Sequence, residues 1–136
     1  MFSLEAPYCA SFKSFGSKTF NFQIKSFDNY DCYLSIVGEN QYDCVKLICN
    51  DDILSFEEVK KEVFSEKIIS SSFLSLDIVF LFEKSLVIQN LFEPQKKEII
   101  SSNELVDMTV AGVNTGLIFV LDENGYIFYD NVRKVA

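Results

Sequence analysis

Short apolar stretches joined by tight turns recur along this chain, and this pattern constrains its fold more than any other feature. Three pairs of such stretches span residues 32–49, 77–89 and 117–129. The third pair encloses Asn124 and Gly125, a strong hairpin signal because both residue types adopt positive φ readily. Further short apolar runs lie at 19–25, 98–100 and 106–111. The pattern predicts a mainly β protein built from antiparallel hairpins.

One segment of the sequence predicts a helix instead. Ser55 and Glu58 have the spacing of a capping box, in which the two side chains bond to each other's backbone N–H groups. Three apolar residues of this segment lie at helical spacing: Phe56, Val59 and Val63. We therefore expect one short helix near residues 55–64.

The last hairpin carries a resemblance to a known family. Gly112, an apolar strand ending at Leu121, and the run from the acidic turn through Gly125 to Ile127 and Phe128 resemble a β-propeller blade of the regulator-of-chromosome-condensation type. They resemble a WD-repeat blade less specifically. The resemblance is best over residues 106–131 and implies blade-like sheets.

The spacing of the hairpins leaves two architectures open. The hairpins recur about 40–45 residues apart, which suits propeller blades. A ring of at least four such blades needs roughly 160 residues, so 136 residues predict a partial array whose open edges are capped or paired with another chain. The alternative is a small barrel or sandwich, in which eight to ten short strands fit this length.

Composition excludes several classes of function. The chain has no His, which removes Ser-His-Asp and Cys-His catalysis and imidazole metal ligands. The acid pairs Asp51–Asp52 and Glu57–Glu58 fit a turn and a helix start better than a catalytic cleft. No glycine-rich phosphate loop is present. We therefore expect no catalytic residues, no metal site and no cofactor, and the chain is not predicted to be an enzyme.

The net charge of −8 restricts the choice of partner. Twenty acidic residues face 12 basic ones, and no basic cluster exceeds two residues, so direct binding to nucleic acid or to an anionic membrane is not expected. A basic protein partner fits this charge.

Compartment follows from the amino terminus and the cysteines. The first residues lack the features of a signal peptide, and no apolar run approaches the length of a membrane span. Cys44 and Cys49 are five positions apart in a predicted strand, so they lie on opposite faces and cannot bridge. All four cysteines are interpreted as buried, reduced thiols. These features predict an intracellular protein, cytoplasmic or nuclear.

Four aromatic residues near the amino terminus have no clear strand pattern: Phe2, Tyr8, Phe12 and Phe15. They are candidate anchors for a partner chain, with residues 1–16 as a docking segment. The alternative is that they pack onto the chain's own sheets.

These observations predict one β-rich domain over residues 1–136 that acts as a non-catalytic protein–protein interaction subunit of a larger intracellular assembly. Both homo- and hetero-oligomers remain open. The alternative function is a small β-barrel carrier of an apolar ligand.

Overall fold

The computed structural model describes residues 3–4, 10–11, 18–51, 53–111 and 116–131. These residues form strands, turns and loops, so the predicted mainly β class is confirmed. The described ranges contain no helix, and therefore no helix that is long and apolar enough to cross a membrane. The strands are β1 (Ser3–Leu4), β2 (Ala10–Ser11), β3 (Ser26–Tyr30), β4 (Tyr33–Val37), β5 (Gln41–Asn50), β6 (Ile53–Val63), β7 (Ser70–Leu74), β8 (Asp77–Leu81), β9 (Ser85–Asn90), β10 (Lys96–Ile100), β11 (Leu105–Val110), β12 (Leu117–Asp122) and β13 (Ile127–Asn131).

Three antiparallel sheets follow one another along the chain. The first sheet has the order β3-β4-β5-β6, the second β7-β8-β9-β10 and the third β11-β12-β13. Each strand pairs with its neighbour in sequence, so every sheet is an open meander. β1 and β2 form a separate short pair. The predicted hairpins β4–β5, β8–β9 and β12–β13 are confirmed.

The second sheet is the middle layer, packed on both faces. Its central strands β8 and β9 read as nearly continuous apolar runs and are almost completely buried. Successive side chains of a strand point to opposite faces. A strand covered on both sides therefore needs apolar residues at every position.

An aromatic cluster fills the space between the first and second sheets. Phe80 is fully buried there, with its ring centroid 4.8 Å from that of Tyr42 and 4.9 Å from that of Phe64. Val37 and Cys44 contribute to this core from the first sheet. The edge-on arrangement of Tyr42 and Phe80 adds to the stabilisation from burial alone.

A second core, purely aliphatic in its buried part, joins the second and third sheets. Val79, Leu81 and Ile88 face Ile118 and Val120 across this interface. Alternate residues of β8 therefore enter different cores, which ties the three sheets into one stack.

The turns show that the three sheets repeat one design. In each sheet one backbone hydrogen bond closes the loop between the second and third strands. In the first sheet Gly38 N–H donates to Gln41 C=O at 2.8 Å. In the second sheet Phe82 N–H donates to Ser85 C=O at 2.8 Å. In the third sheet Asp122 N–H donates to the carbonyl of Tyr126 at 3.1 Å. Val37, Leu81 and Leu121 precede these donors and are therefore equivalent positions.

The linkers between sheets repeat as well. In the first linker, Phe64 N–H and Ile68 N–H donate to the carbonyls of Asn40 and Glu39 at 2.8 and 2.7 Å. In the second, Ser101 N–H and Leu105 N–H donate to the carbonyls of Lys84 and Glu83 at 2.8 and 2.7 Å. Each linker thus docks on the hairpin loop of the sheet it has just left.

The predicted helix near residues 55–64 is wrong, because these residues belong to β6. The register of β6 against β5 shifts between Cys44 and Val45, leaving Val59 as an extra residue between Glu58 and Lys60. This β-bulge inserts one position into an alternating strand. The insertion produces the three- and four-residue spacing of Phe56, Val59 and Val63 that imitates a helix.

The strand expected at residues 19–25 is also absent from the fold: residues 18–25 lack strand structure, and the first strand of the sheet begins at Ser26. Phe20 and Phe22 are half-buried in this segment, with ring centroids 5.7 Å apart. Phe22 lies directly against Gly38, where a Cβ would come within 2.6 Å of its ring. The alternation therefore reflects packing of residues 18–25 on the first sheet.

Candidate partner-binding surface

The second strand of each sheet carries equivalent side chains on the face that, in the first two sheets, packs on the following sheet. In β4, Val37 and Ser35 face the second sheet, and in β8, Leu81 and Val79 face the third. The equivalent residues of β12 are Leu121 and Phe119, which point away from the second sheet. The third sheet thus presents outward the face that the other two use for packing.

Burial separates this face from its equivalents. Val79 and Leu81 are 0 % exposed and Val37 is 4 % exposed, whereas Phe119 and Leu121 are half-buried. We call this surface the outer face of the third sheet and define it by Asp107, Thr109, Phe119 and Leu121. These four residues, with Met108 and Val120, line a shallow depression of about 200 Å³.

One edge of the third sheet adjoins this face. β13 pairs with β12 from Ile127 opposite Leu121 to Asn131 opposite Leu117. No other strand of the described part of the chain pairs with β13, whereas the third strands of the other two sheets are followed by β6 and β10. An uncovered strand edge is a template for pairing with another chain.

The charged residues of the third sheet and its turns are all acidic. Residues 104–131 contain five acidic residues and no Lys or Arg. A hydrogen bond with Glu83, followed by the charges of Glu83 and Glu123, raises the pKa of Glu104. Asp122 is buried and accepts hydrogen bonds from the N–H groups of Asn124 and Tyr126, which fixes the turn before β13. Because Asp122 is buried, the exposed acidic groups of the described part of this sheet and its turns are Glu104, Asp107 and Glu123, which attract cationic groups.

The opposite end of the stack carries a buried carboxyl group. Asp43 lies on the face of the first sheet that points away from the second, is 1 % exposed, and its Oδ1 has no hydrogen-bond partner among the described residues. Burial, followed by its hydrogen bond with Glu58, raises the pKa of Asp43 to about 6. Burial alone would raise the pKa of Glu58, but hydrogen bonds with Asp43 and Lys61 lower it. Lys61 and Lys18 lie 3.3 and 3.7 Å from Glu58.

A concavity of about 660 Å³ opens where the linkers meet the hairpin loops. Five charged residues contribute to its lining: Lys25, Glu66, Lys67, Glu83 and Glu104. An apolar ligand would have to desolvate these charges, which is costly. Within the described ranges, no three Cys, Asp or Glu side chains are arranged to hold a metal ion.

The predicted docking residues Phe2, Tyr8, Phe12 and Phe15 lie outside the described residues, and of segment 1–16 the structure describes only β1 and β2. Of the pair Asp51–Asp52 the structure describes only Asp51, which lies in the predicted turn after β5. Glu57 and Glu58 are neighbours in β6 rather than at a helix start, and they point to opposite faces.

The prediction of buried thiols holds for only one of the described cysteines. Cys44 is buried, and its burial raises its pKa to about 11. Cys32 is half-buried and Cys49 is exposed near the end of β5, so the prediction is wrong for these two. Cys9 lies outside the described residues.

The sequence analysis missed the outer face of the third sheet. A signal was present, since Leu117, Phe119 and Leu121 alternate with the buried Ile118 and Val120. A strand that is apolar on both faces predicts packing on both sides. No protein-family model matches the chain, and a comparison with curated proteins found no significant relative.

Proposed function

We propose that this chain is a non-catalytic interaction subunit of a larger intracellular assembly and that it binds a protein partner through the outer face of the third sheet. The observation that carries the proposal is the half-burial of Phe119 and Leu121 at positions whose equivalents in the first two sheets are buried. Completing this burial with a partner removes apolar surface from water, which favours association.

The repeated design of the sheets supports this proposal. Stacked repeats bury a continuous core only where each one has a neighbour, so an outward apolar face on a repeat is stabilised by a further neighbour or a polar cap. The three stacked meanders also fit the blade-like sheets that the resemblance over residues 106–131 implies. The described cysteines are free thiols, which fits a reducing compartment.

The alternative function, a carrier of an apolar ligand, has less support. The described sheets are open meanders, so they enclose no barrel interior. The concavity at the linkers is lined by Lys25, Glu66 and Glu104 among other charged residues, and such a lining does not suit an apolar ligand.

The native mass of the chain in extracts of its own source tests the proposal. We expect the wild type to migrate well above the 15.6 kDa of the monomer. Leu121→Asp and Thr109→Arg, which change the outer face of the third sheet, should return it to the monomer position. Phe27→Asp is the matched control, because Phe27 is 72 % exposed on β3 in the first sheet.

Two results would reject this function. The first is a wild-type chain that migrates as a monomer in the extract. The second is a complex whose mass responds to neither outer-face variant. Urea unfolding of each purified variant shows that it is folded, and Thr109→Arg serves if Leu121→Asp is unstable, because Thr109 is exposed.

A further inference from the structure

We propose that the concavity between the linkers and the hairpin loops binds the side chain of a basic residue of a partner protein. This site is separate from the outer face of the third sheet, and the inference does not depend on that face. It follows from three features of the lining: equivalent positions of the three sheets build it, exposed apolar side chains lie beside charged ones, and two of its carboxyl groups are in hydrogen-bond contact.

Each sheet contributes one equivalent residue to the concavity: Lys25, Ile69 and Val106. Each of these comes immediately before the residue of the first strand that pairs with Val37 or its equivalent in the second strand. The N–H of Lys25 donates to Val37 C=O at 2.8 Å, and that of Ile69 donates to the equivalent carbonyl of the second sheet, also at 2.8 Å. The concavity is therefore formed by the repeat that organises the fold rather than by one irregular loop.

The apolar residues of the lining differ in exposure. Ile68 and Leu105 are buried, whereas Ile69 and Val106 are exposed. The N–H groups of Ile68 and Leu105 each donate to a carbonyl of a hairpin loop at 2.7 Å, which fixes the linkers that carry these side chains. Exposed apolar surface beside charged groups suits a long basic side chain, because its methylene stem packs on the apolar groups while its charged end stays with polar ones.

Carboxyl groups meet where the second linker docks on the loop of the second sheet. Glu83 and Glu104 are in hydrogen-bond contact there, and this contact is the largest cause of the raised pKa of Glu104. The charge of Glu123 raises this pKa further, whereas the charge of Lys84 lowers it. Two carboxyl groups that form a hydrogen bond share one proton, and a cation placed beside both would replace that proton. The guanidinium of an arginine is such a cation, because its fork of N–H groups pairs with carboxylates.

Two lysines also line the concavity, Lys25 just before β3 and Lys67 in the first linker. Lys67 follows Glu66, so the first linker brings charges of both signs. The charged lining residues of the second linker and of the loop beside it are Glu104 and Glu83. The basic side chain is therefore expected at these two carboxyl groups. A metal ion is not the expected occupant, because no three Cys, Asp or Glu side chains in the described part of the chain are arranged to hold one.

Titration with a short peptide, followed by the amide chemical shifts of the full chain, tests the inference. The probe is a tripeptide of arginine between two glycines, blocked at both ends, and its matched control carries citrulline, which has nearly the shape of arginine without its charge. We expect the probe to shift the amide signals of Ile69, Leu105 and Val106 with a dissociation constant of about 1 to 10 mM, and the control to bind at least about fivefold more weakly. Unchanged signals at about 50 mM probe, or equal binding of both peptides, would overturn the inference.

Two substitutions of the same chemistry locate the binding. Glu104→Gln removes one carboxylate of the contact and keeps the size of the side chain, whereas Glu93→Gln makes the same change at an exposed residue of the loop between β9 and β10. Both residues are exposed, so both variants should fold. We expect Glu104→Gln to weaken binding of the arginine probe about threefold and Glu93→Gln to leave it unchanged. Equal binding to the two variants would show that the peptide is held elsewhere, contrary to the inference.

A third variant separates this site from the proposed function. Thr109→Arg changes the outer face of the third sheet, and we expect it to bind the arginine probe within about twofold of the wild type. Loss of probe binding in this variant would place the probe on the outer face and overturn the inference. A wild-type chain that is monomeric in extracts but binds the probe at Ile69, Leu105 and Val106 would reject the proposed function and support this inference.

Discussion

The outer face of the first sheet and the outer face of the third sheet are the two ends of one stack, and among the described residues only the first is fully buried. Ile36 and Val45 on the first sheet are 3 % and 1 % exposed, whereas Phe119 and Leu121 on the third are half-buried. Residues 18–25 account for part of the cover, through the contact of Phe22 with Gly38 and the pairing of Lys18 with Glu58. The described residues thus bury one end of the stack and leave Leu121, on the packing face at the other end, half-buried.

This difference shows what an apolar strand face reveals about its surroundings. Both faces carry apolar side chains, because both strands are built to be packed on two sides. The identity of the neighbour is not encoded in the strand itself. It depends on whether another segment of the chain, or another chain, is available to cover it.

The largest expected effect comes from shortening one apolar side chain on each face. Ile36→Ala should lower the free energy of unfolding by about 2 to 4 kcal/mol, because it opens a cavity under a covered face. Leu121→Ala should lower it by only about 1 kcal/mol, because water already reaches this side chain. Urea unfolding of both variants measures the difference, and equal losses would show that the two ends are covered alike.

A smaller effect concerns the buried carboxyl group of the covered face. The pKa of Asp43 is raised to about 6 in the folded protein, so its proton stabilises the fold at low pH. That contribution is lost as the pH rises through about 6. Asp43→Asn keeps a donor for Glu58 without a charge to desolvate, so it should stabilise the protein by about 1 to 3 kcal/mol at pH 7 and leave it nearly unchanged at pH 4.

Urea unfolding at the two pH values checks this prediction, with Asp28→Asn as the control because Asp28 is an exposed carboxylate on β3 of the same sheet. A stabilisation by Asp43→Asn that is the same at pH 4 and pH 7 would show that ionisation of Asp43 is not its cause.

The smallest expected effect on stability concerns residues 18–25, which cover part of the outer face of the first sheet. Lys18 lies 3.7 Å from Glu58 and 5.5 Å from the centre of the Phe20 ring. Because the pair is partly exposed, Lys18→Ala should lower the free energy of unfolding by less than about 1 kcal/mol. The same change at Lys67, an exposed residue of the linker between β6 and β7, should have a smaller effect. A loss above about 2 kcal/mol for Lys18→Ala would mean that this ion pair, rather than apolar contact, holds residues 18–25 in place.

The local sequence pattern was enough to predict the hairpins, but it led to a wrong prediction of a helix where the structure has β6. In β4–β5, β8–β9 and β12–β13, the alternation and the turn residues act within a few positions, so the sequence shows them directly. In β6, the bulge at Val59 is fixed by pairing with β5, and pairing is not visible in the spacing of one segment. The same bulge changes the role of Glu58 from a helix cap to a partner of Asp43.

The candidate surface required the structure for a similar reason. The alternation in β12 is readable from the sequence, but its significance depends on the equivalence of Leu121 with Leu81 and Val37, which the turn hydrogen bonds establish. The amino-terminal docking segment remains a prediction, because Phe2, Tyr8, Phe12 and Phe15 lie outside the described residues.

Amide hydrogen exchange of β13 tests the central claim most directly. The claim is that the third sheet, unlike the first, is completed by a partner. Asp122 N–H donates to Tyr126 C=O, and bonded and non-bonded pairs alternate along an antiparallel ladder, so Ile127, Tyr129 and Asn131 are not hydrogen-bonded to β12. Their amides should exchange rapidly in the purified chain and at least about tenfold more slowly in the native complex, while those of the already paired β12 change little. Strong protection of β13 in the purified chain, or no added protection in the complex, would contradict the account.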